Sequence, residues 1–173
     1  RGVINAIRTG INQARGRYVV MINGDLADDA GTVNAMVAKA EEGHGLVCAT
    51  RYSKGGRKQG GPFIQDLLSR LANWSFHLLP RFPTRDATNS VKLYRADFLK
   101  ATPIESTGGF EFSMELAVKA RRAGLRICEV PTVWRQRKAG ESRFRLWKWL
   151  TSYLRWYALG LRSAWGGGGP GDE

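Results

Sequence analysis

Short apolar runs rich in β-branched residues alternate with amphipathic segments in the first fifty residues. Residues 17–22 (RYVVMI) and 45–50 (GLVCAT) have the length and composition of buried strands. The segments that precede them, 3–14 and 32–42, repeat apolar residues every three or four positions, which is typical of helices. Strands that alternate with helices in this way predict an α/β fold with a largely parallel sheet.

The remainder of the chain continues the alternation after one interruption. Residues 51–62 (RYSKGGRKQGGP) are basic and rich in glycine, and they predict a mobile loop. Further predicted elements are helices at 63–79 and 111–123, a strand at 90–94, and a strand from 125 followed by an edge strand after Pro131.

The chain carries 27 Lys and Arg against 15 Asp and Glu, a formal net charge of +12. This excess predicts an anionic partner, which could be nucleic acid, an acidic membrane surface or a phosphorylated substrate. Cys48 and Cys128 lie in apolar runs without a CxxC pair, which predicts free core cysteines, no zinc site and a reducing compartment. No run approaches the about 18 apolar residues that span a bilayer, and no signal peptide is recognisable.

The C-terminal part differs in character from the rest. Between Trp134 and Trp165 lie five of the six tryptophans and eight basic residues, with one acid. We predict an amphipathic helix that docks residues 144–162 on an anionic membrane interface; the alternative is a helix packed on the core or in a dimer. Residues 166–173 (GGGGPGDE) predict a flexible tail. The predicted apolar face contains Leu146, Leu150, Tyr153, Leu154, Tyr157 and Leu161.

An acidic turn, NGDLADD, follows the first predicted strand. Ligands of open α/β sheets bind at the carboxyl ends of strands. Asn23 and Asp25 offer oxygen ligands of the kind that Mg²⁺ or Mn²⁺ prefers. Asp28 and Asp29 are interpreted as caps of the next helix, whereas for Asp25 the spacing leaves a metal ligand and a turn residue both open.

Four further groups have both a chemical and a structural interpretation. Arg51, with the glycines that follow it, could bind phosphate or belong to a solvated basic loop. Asp86 could be a general base, a metal ligand or a turn residue. Glu111 and Glu115, one helical turn apart, could face a site or solvent. In the fourth group, RKAGESRF, the residues that would form a phosphate-binding turn are Arg137, Ser142 and Arg143.

Six segments occur in an order that carries a family resemblance: NGD, TRY with a following GG, DATNSVKLYR, GFEFSMEL, EVP and RKAGESR. They are similar to the motifs of family-2 glycosyltransferases of the dolichyl-phosphate-mannose-synthase type, throughout residues 1–145. The resemblance implies a GT-A fold: a mixed, mainly parallel sheet flanked by helices, lacking its first strands because the match begins after the family's N-terminal third. We therefore divide the chain into a partial GT-A domain at 1–143, the basic and aromatic helix at 144–165, and the tail at 166–173.

The resemblance further implies an inverting transfer of a hexose from a nucleotide-diphosphate sugar, of the GDP-mannose or UDP-glucose type, to a polyprenyl phosphate. It implies Mg²⁺ or Mn²⁺, a peripheral position on the cytoplasmic, inner face of the membrane, and no nucleic-acid partner. Asn23 stands where the family has the first Asp of Asp-x-Asp, and Ala27 where many relatives have a metal-binding Gln, so we expect weaker metal binding. The implied residues are Asp25 and Asp86 for catalysis, Asp25 and Asn23 for the metal, and Arg51, Arg70, Glu111, Arg137, Ser142 and Arg143 for the substrates.

Three other functions stay open on the sequence. A family-2 transferase could use another acceptor, such as a polysaccharide or a lipid headgroup. A degenerate, non-catalytic membrane module would explain Asn23 and Ala27. A nucleic-acid binder would explain the charge, although the aromatic residues form no stacking motif that we recognise.

Overall fold

A mixed four-stranded sheet with helices on both faces forms the centre of the protein. The computed structural model describes residues 2–25, 27–61, 63–136 and 146–165, without the side chains of 65, 146–150 and 163–165. The strands are β1 (Tyr18–Met21), β2 (Leu46–Thr50), β3 (Arg57–Gln59), β4 (Lys92–Arg95), β5 (Ile127–Pro131) and β6 (Val133–Arg135). The helices are α1 (Val3–Gln13), α2 (Thr32–Glu41), α3 (Phe63–Leu78), α4 (Ala96–Ala101), α5 (Phe112–Arg122) and α6 (Leu146–Trp165).

The strand order of the central sheet is β1-β4-β2-β5. β4 lies between β1 and β2 and runs antiparallel to both, whereas β2 and β5 are parallel. The predicted mixed sheet flanked by helices is confirmed, with three of these strands pointing the same way. In the described part of the chain β1 pairs only with β4, so Tyr18–Met21 is half-buried where the sequence predicted a buried strand.

Alternate residues of β2 face two separate hydrophobic cores. Leu46 and Cys48 belong to the larger core with α1, α3, α5 and α6, and Val47 belongs to the smaller core with α2. Every residue of β2 is buried, as the run GLVCAT predicted. Both cysteines are free, as predicted, and burial raises the pKa of Cys48 to about 12 and that of Cys128 to about 11. Because the thiolate is the reactive form, neither is a reactive thiol at neutral pH.

The glycine-rich segment after β2 contains a strand, where the sequence predicted only a mobile loop. Arg57–Gln59 forms β3, which pairs in parallel with β6, and the backbone N–H of Arg57 donates to Thr132 O at 3.0 Å. Gly56 makes the turn into β3, where an added Cβ would lie 2.5 Å from Thr50 O. Such a contact excludes every side chain, so this glycine permits a close backbone approach.

The C-terminal helix α6 packs against α5 and α3. Trp156 is 3% exposed, and the Tyr157 ring lies 5.2 Å from that of Phe76. Of the face predicted to meet a membrane, Tyr153 and Tyr157 are half-buried in the protein and Leu154 is exposed. The alternative interpretation, a helix packed on the core, therefore describes this side of α6. None of the helices in the described ranges is long and apolar enough to cross a membrane.

We expect Gly160→Ala to destabilise the fold by about 1–3 kcal/mol, because overpacking a filled core costs this much. An added Cβ at Gly160 would lie 2.5 Å from Cε2 of Phe76, which is itself completely buried. Gly10→Ala in α1 is the matched control: nothing lies within 4 Å of its Cβ position, and we expect a gain of roughly 0.5–1 kcal/mol. Urea denaturation measures both variants. Equal effects would show that α6 does not seat Gly160 against Phe76.

Candidate active site

Three loops meet at one edge of the central sheet. β1 and β2 point in the same direction, so the loops after them emerge at the same edge. β4 runs the opposite way, and its preceding loop, residues 84–91, therefore reaches that edge too. This arrangement brings together Asn23, Arg51 and Asp86, which are far apart in the sequence. The predicted location, at the carboxyl ends of strands, is where open α/β sheets bind ligands.

Arg51 and Asp86 form a buried ion pair with two-point geometry. Arg51 Nε donates to Asp86 Oδ2 at 2.7 Å, Arg51 Nη2 donates to Oδ1 at 2.8 Å, and the Arg51 backbone N–H donates to Oδ2 at 3.0 Å. The Asp86 side chain is 0% exposed and that of Arg51 is 13% exposed. Burial by itself would lower the pKa of the Arg51 guanidinium, but the Asp86 carboxylate outweighs it and leaves that pKa above its ordinary value. Asp86 therefore fixes the orientation of a permanently charged arginine.

Asn23 is held by two hydrogen bonds that occupy its carboxamide. Its Oδ1 accepts from Ser90 Oγ at 3.0 Å, and its Nδ2 donates to Asp28 Oδ2 at 2.7 Å. Asp28 is thus part of the site, whereas its position in the sequence predicted a helix cap. Its other oxygen, Oδ1, is buried and has no hydrogen-bond partner among the described residues. Burial raises the pKa of Asp28, and the Asn23 hydrogen bond and the Arg51 charge oppose that rise.

Asp25 lies on the exposed side of the same turn. Its Oδ1 accepts from the backbone N–H of Ala27 at 3.2 Å, and its charge adds to the raised pKa of Asp28. Arg135 N donates to Ala27 O at 2.8 Å, which ties the turn to β6. Among the described residues no three His, Cys, Asp or Glu side chains form a metal-binding group. Asp25 and Asp28 both offer hard oxygen donors of the kind that Mg²⁺ and Mn²⁺ prefer, and Oδ1 of Asp28 has no hydrogen-bond partner among the described residues.

Tyr52 joins the Arg51 side of the site to helix α3. Its hydroxyl lies 3.1 Å from Ser69 Oγ, and its ring centroid lies 5.1 Å from Arg51 Cζ and 5.2 Å from Arg70 Cζ. Arg70 Nε also donates to Asp66 at 2.8 Å, and its side chain is 54% exposed. Cations within about 6 Å of a ring centroid are attracted to its face. The structure thus gathers Arg51 and Arg70, both predicted to bind substrate, around one ring.

Glu111 and Glu115 are both buried, and they differ in how their oxygens are used. Glu115 accepts from the backbone N–H groups of Glu105 at 2.6 Å and Ser106 at 2.8 Å and from Lys119 at 2.7 Å, so it anchors the segment before α5. Glu111 accepts from Gly108 N at 2.7 Å, and its Oε2 has no partner in the described part of the chain. Glu111 therefore has spare hydrogen-bonding capacity, whereas Glu115 has a structural role.

Sequence reasoning missed the residues that support the loop 84–91. Lys92 is completely buried, and its Nζ donates to Ala87 O at 3.0 Å, to Asn89 O and to Ser113 Oγ at 2.6 Å. Asn73 of α3 exchanges hydrogen bonds with Thr88 at 2.8 and 3.1 Å. The sequence contained one signal for these residues, a lysine inside the apolar run VKLY. A lysine is almost never fully buried unless it is paired, so a lysine in a buried strand implies polar partners.

Three of the predicted substrate-binding residues are not placed by the structure. Arg137, Ser142 and Arg143 lie outside the described residues. The structure describes the other six predicted residues: Asn23, Asp25, Arg51, Arg70, Asp86 and Glu111. Contacts or charge interactions through Asp28 and Tyr52 connect the first five of them.

Known proteins resemble this chain in sequence. It is 25% identical over 157 residues to the dolichol-phosphate mannosyltransferase of Pyrococcus furiosus, which covers 90% of this chain and 44% of the relative. It is 29% identical over 131 residues to the undecaprenyl-phosphate mannosyltransferase of Micrococcus luteus, covering 70% of this chain and 51% of the relative. The chain thus spans about half the length of these relatives.

The fold resembles solved structures over nearly the whole chain. Glucosyl-3-phosphoglycerate synthase from Mycobacterium tuberculosis, crystallised with Mn²⁺, UDP and phosphoglyceric acid, matches with a TM-score of 0.62 at 20% identity. The match covers 99% of this chain and 56% of that one. This likeness shows the GT-A fold. The model of the family described as Glycosyl transferase family 2 matches residues 1–101, more than half of the sequence, and the chain therefore belongs to glycosyl transferase family 2.

Proposed function

We propose that the whole protein transfers a hexose from a nucleotide-diphosphate sugar to a polyprenyl phosphate, with inversion at the anomeric carbon. The observation that carries this proposal is the meeting of two carboxylates, Asp25 and Asp28, with the arginine pair Arg51 and Arg70 at one sheet edge. Such a site can hold a diphosphate through a cation and a second phosphate through guanidinium groups. The relatives named as prenyl-phosphate mannosyltransferases support this choice of acceptor.

On the donor side, we assign Asp25 and Asp28 to hold Mg²⁺ or Mn²⁺. The sequence suggested Asn23 as the second ligand, but the amide oxygen of Asn23 already accepts from Ser90 and its amide nitrogen donates to Asp28. Asn23 then orients Asp28, and the orphan Oδ1 of Asp28 is the free donor. A bound divalent cation would neutralise the charge of the departing nucleoside diphosphate. The structural neighbour that contains Mn²⁺ and UDP supports a metal for this fold.

On the acceptor side, Arg51 and Arg70 hold the phosphate of the lipid. An oxygen of that phosphate attacks the anomeric carbon, and the bond from this carbon to the nucleoside diphosphate breaks. A phosphate monoester is largely ionised at neutral pH because its second pKa is about 6, so no strong base is required. Both oxygens of Asp86 accept hydrogen bonds from Arg51, and we therefore assign Asp86 to orient Arg51 rather than to remove a proton.

The experiment that tests the donor site is calorimetry with GDP-mannose and UDP-glucose, with and without Mn²⁺. Loss of a residue that only supports a metal ligand lowers metal affinity roughly 10–100-fold. Because Asp25 is assigned as a ligand itself, we expect Asp25→Ala to lower metal-dependent nucleotide binding by more than this. Asp29→Ala is the matched control, since Asp29 is exposed and its Oδ1 only accepts from Gly31 N at 2.9 Å. Absence of nucleotide binding in the folded wild-type chain would contradict the donor site.

Absence of nucleotide binding would favour the second candidate function, a degenerate module without catalysis. The observation in its favour is that Asn23 replaces a carboxylate and that the described residues hold no group of three metal-binding side chains. If donors bind, transfer of labelled hexose to polyprenyl phosphate, phosphoglycerate and a polysaccharide would separate the acceptor classes. We also propose a peripheral position on the cytoplasmic face of a membrane, as the polyprenyl acceptor requires, and no nucleic-acid partner.

A further inference from the structure

Helix α3 carries a continuous apolar stripe that no described part of the protein covers. The stripe begins with the neighbouring pairs Phe63–Ile64 and Leu67–Leu68, four residues apart, and continues at steps of three or four residues to Leu78, so its members lie on one broad face of the helix. Single exposed leucines are normal on a protein surface, but a contiguous set of this size marks an interaction site. The members and their exposed fractions are Phe63 79%, Ile64 71%, Leu67 46%, Leu68 46%, Leu71 52%, Trp74 62% and Leu78 48%.

The orientation of the helix is fixed from its opposite face, so the stripe cannot turn inward. Phe76 is completely buried in the larger core, and Asn73 is 1% exposed. Asn73 Nδ2 donates to Thr88 Oγ1 at 2.8 Å, and Asn73 Oδ1 accepts from Thr88 N at 3.1 Å. Rotating α3 to bury the stripe would break both bonds and expose Phe76.

The border of the stripe is basic. Arg70 of α3 is 54% exposed on its side chain, and Arg81, three residues after the end of the helix, is exposed. Asp66 is the acidic residue of α3, and it is already paired with Lys58 at 2.9 Å and with Arg70 at 2.8 Å. Apolar and aromatic residues beside cations fit an anionic lipid interface, where the face inserts and the cations meet headgroups. A second copy fits less well, because two chains of charge +12 repel each other.

We infer that α3 lies on the membrane, with its apolar stripe inserted into an anionic lipid surface. The inference deepens the proposed function, because a polyprenyl phosphate would enter the site from that surface. Ser69 and Arg70 of α3 contact Tyr52, which stacks with Arg51. The helix that lies on the lipid therefore also supplies one wall of the site.

The test is co-sedimentation of the full chain with vesicles of phosphatidylcholine containing phosphatidylglycerol, and with phosphatidylcholine alone. We expect Leu71→Gln/Trp74→Gln to weaken binding to the anionic vesicles at least tenfold, since two large apolar side chains would no longer leave water for the lipid. Phe63→Gln/Ile64→Gln, at the most exposed positions, serves as a second variant. Leu154→Gln on α6, where Leu154 is 55% exposed, is the matched control and should bind like the wild type.

Three results would overturn the inference. The first is unchanged vesicle binding in both α3 variants, and the second is an equal loss of binding in Leu154→Gln. The third is a wild-type chain that binds no vesicles and whose mass by light scattering falls in the α3 variants, because the apolar stripe would then hold a dimer. Nucleotide binding measured by calorimetry on the wild-type chain distinguishes this inference from the proposed function. Donor binding without vesicle binding by the wild type contradicts only the membrane surface, whereas vesicle binding without donor binding contradicts only the donor site.

Discussion

Asp86→Asn is expected to destabilise the protein by about 3–5 kcal/mol, because it removes one partner of a buried ion pair and leaves the other charge uncompensated. Asparagine keeps the shape of the side chain, so the change isolates the charge. Arg51 would remain 13% exposed, with a neutral amide in place of the carboxylate that accepts its Nε and Nη2 hydrogen bonds. Urea denaturation followed by circular dichroism gives the free energy of unfolding.

Asp66→Asn is the matched control for this change. Asp66 also pairs with two cations, Lys58 and Arg70, but its side chain is 22% exposed. Solvent screens such pairs, and we expect a loss below about 1 kcal/mol. The double variant Arg51→Met/Asp86→Leu should recover part of the stability lost in Asp86→Asn, since it removes both buried charges. A loss in Asp86→Asn no larger than that in Asp66→Asn would show that the pair does not hold the site.

Lys92→Met is the second substitution for which we expect a large effect, a loss of about 2–5 kcal/mol. Methionine matches the length of lysine but donates no hydrogen bond, so Ala87 O, Asn89 O and Ser113 Oγ would each lose a donor in a dry core. Ser113 Oγ can still donate to one of the two carbonyls, and each buried polar group left without a partner costs about 1–3 kcal/mol. Lys92 is 0% exposed, so water does not reach its amine, and this burial lowers the pKa of Lys92.

The effect of Lys92→Met should appear in the loop 84–91 as well as in global stability. We expect faster amide hydrogen exchange in that loop under native conditions, because both of the carbonyls held by Lys92 belong to it. Lys39→Met on α2 is the control: Lys39 is 43% exposed and pairs with Glu42 on the surface, so we expect less than about 1 kcal/mol. Similar losses in the two methionine variants would mean that Lys92 does not support the loop.

These two substitutions address one structural unit. Lys92, Asn73 and Arg51 reach the loop 84–91 from a strand, a helix and a second loop, and each forms hydrogen bonds with it. Ser90 of the same loop donates to Asn23. The loop therefore connects the arginine side of the site to the acidic turn, and a change in its position would move both halves together.

The sequence by itself determined the helices other than α4 (Ala96–Ala101), the strands other than β3, and the order of the motifs. Periodicity is a local property: a helix with one buried face shows it in the spacing of its own residues, as α1 does with Ile4 and Ile11 and α2 with Met36 and Ala40. The motif order was sufficient for the family resemblance and for naming Asn23, Asp25, Arg51 and Asp86 as site residues.

Only the tertiary structure decided how these pieces meet. Arg51 and Asp86 are 35 positions apart, and nothing local to either residue shows that β4 inserts between β1 and β2 and brings them into contact. Asp28 was interpreted as a cap because it precedes the next helix, and only the structure shows that Asn23 donates to it. The apolar stripes of α3 and α6 look alike in the sequence, since amphipathicity shows that a face is apolar without showing what covers it. Packing answered that question: α6 seats Trp156 and Gly160 in the core, whereas α3 buries Phe76 and Asn73 and leaves its stripe exposed.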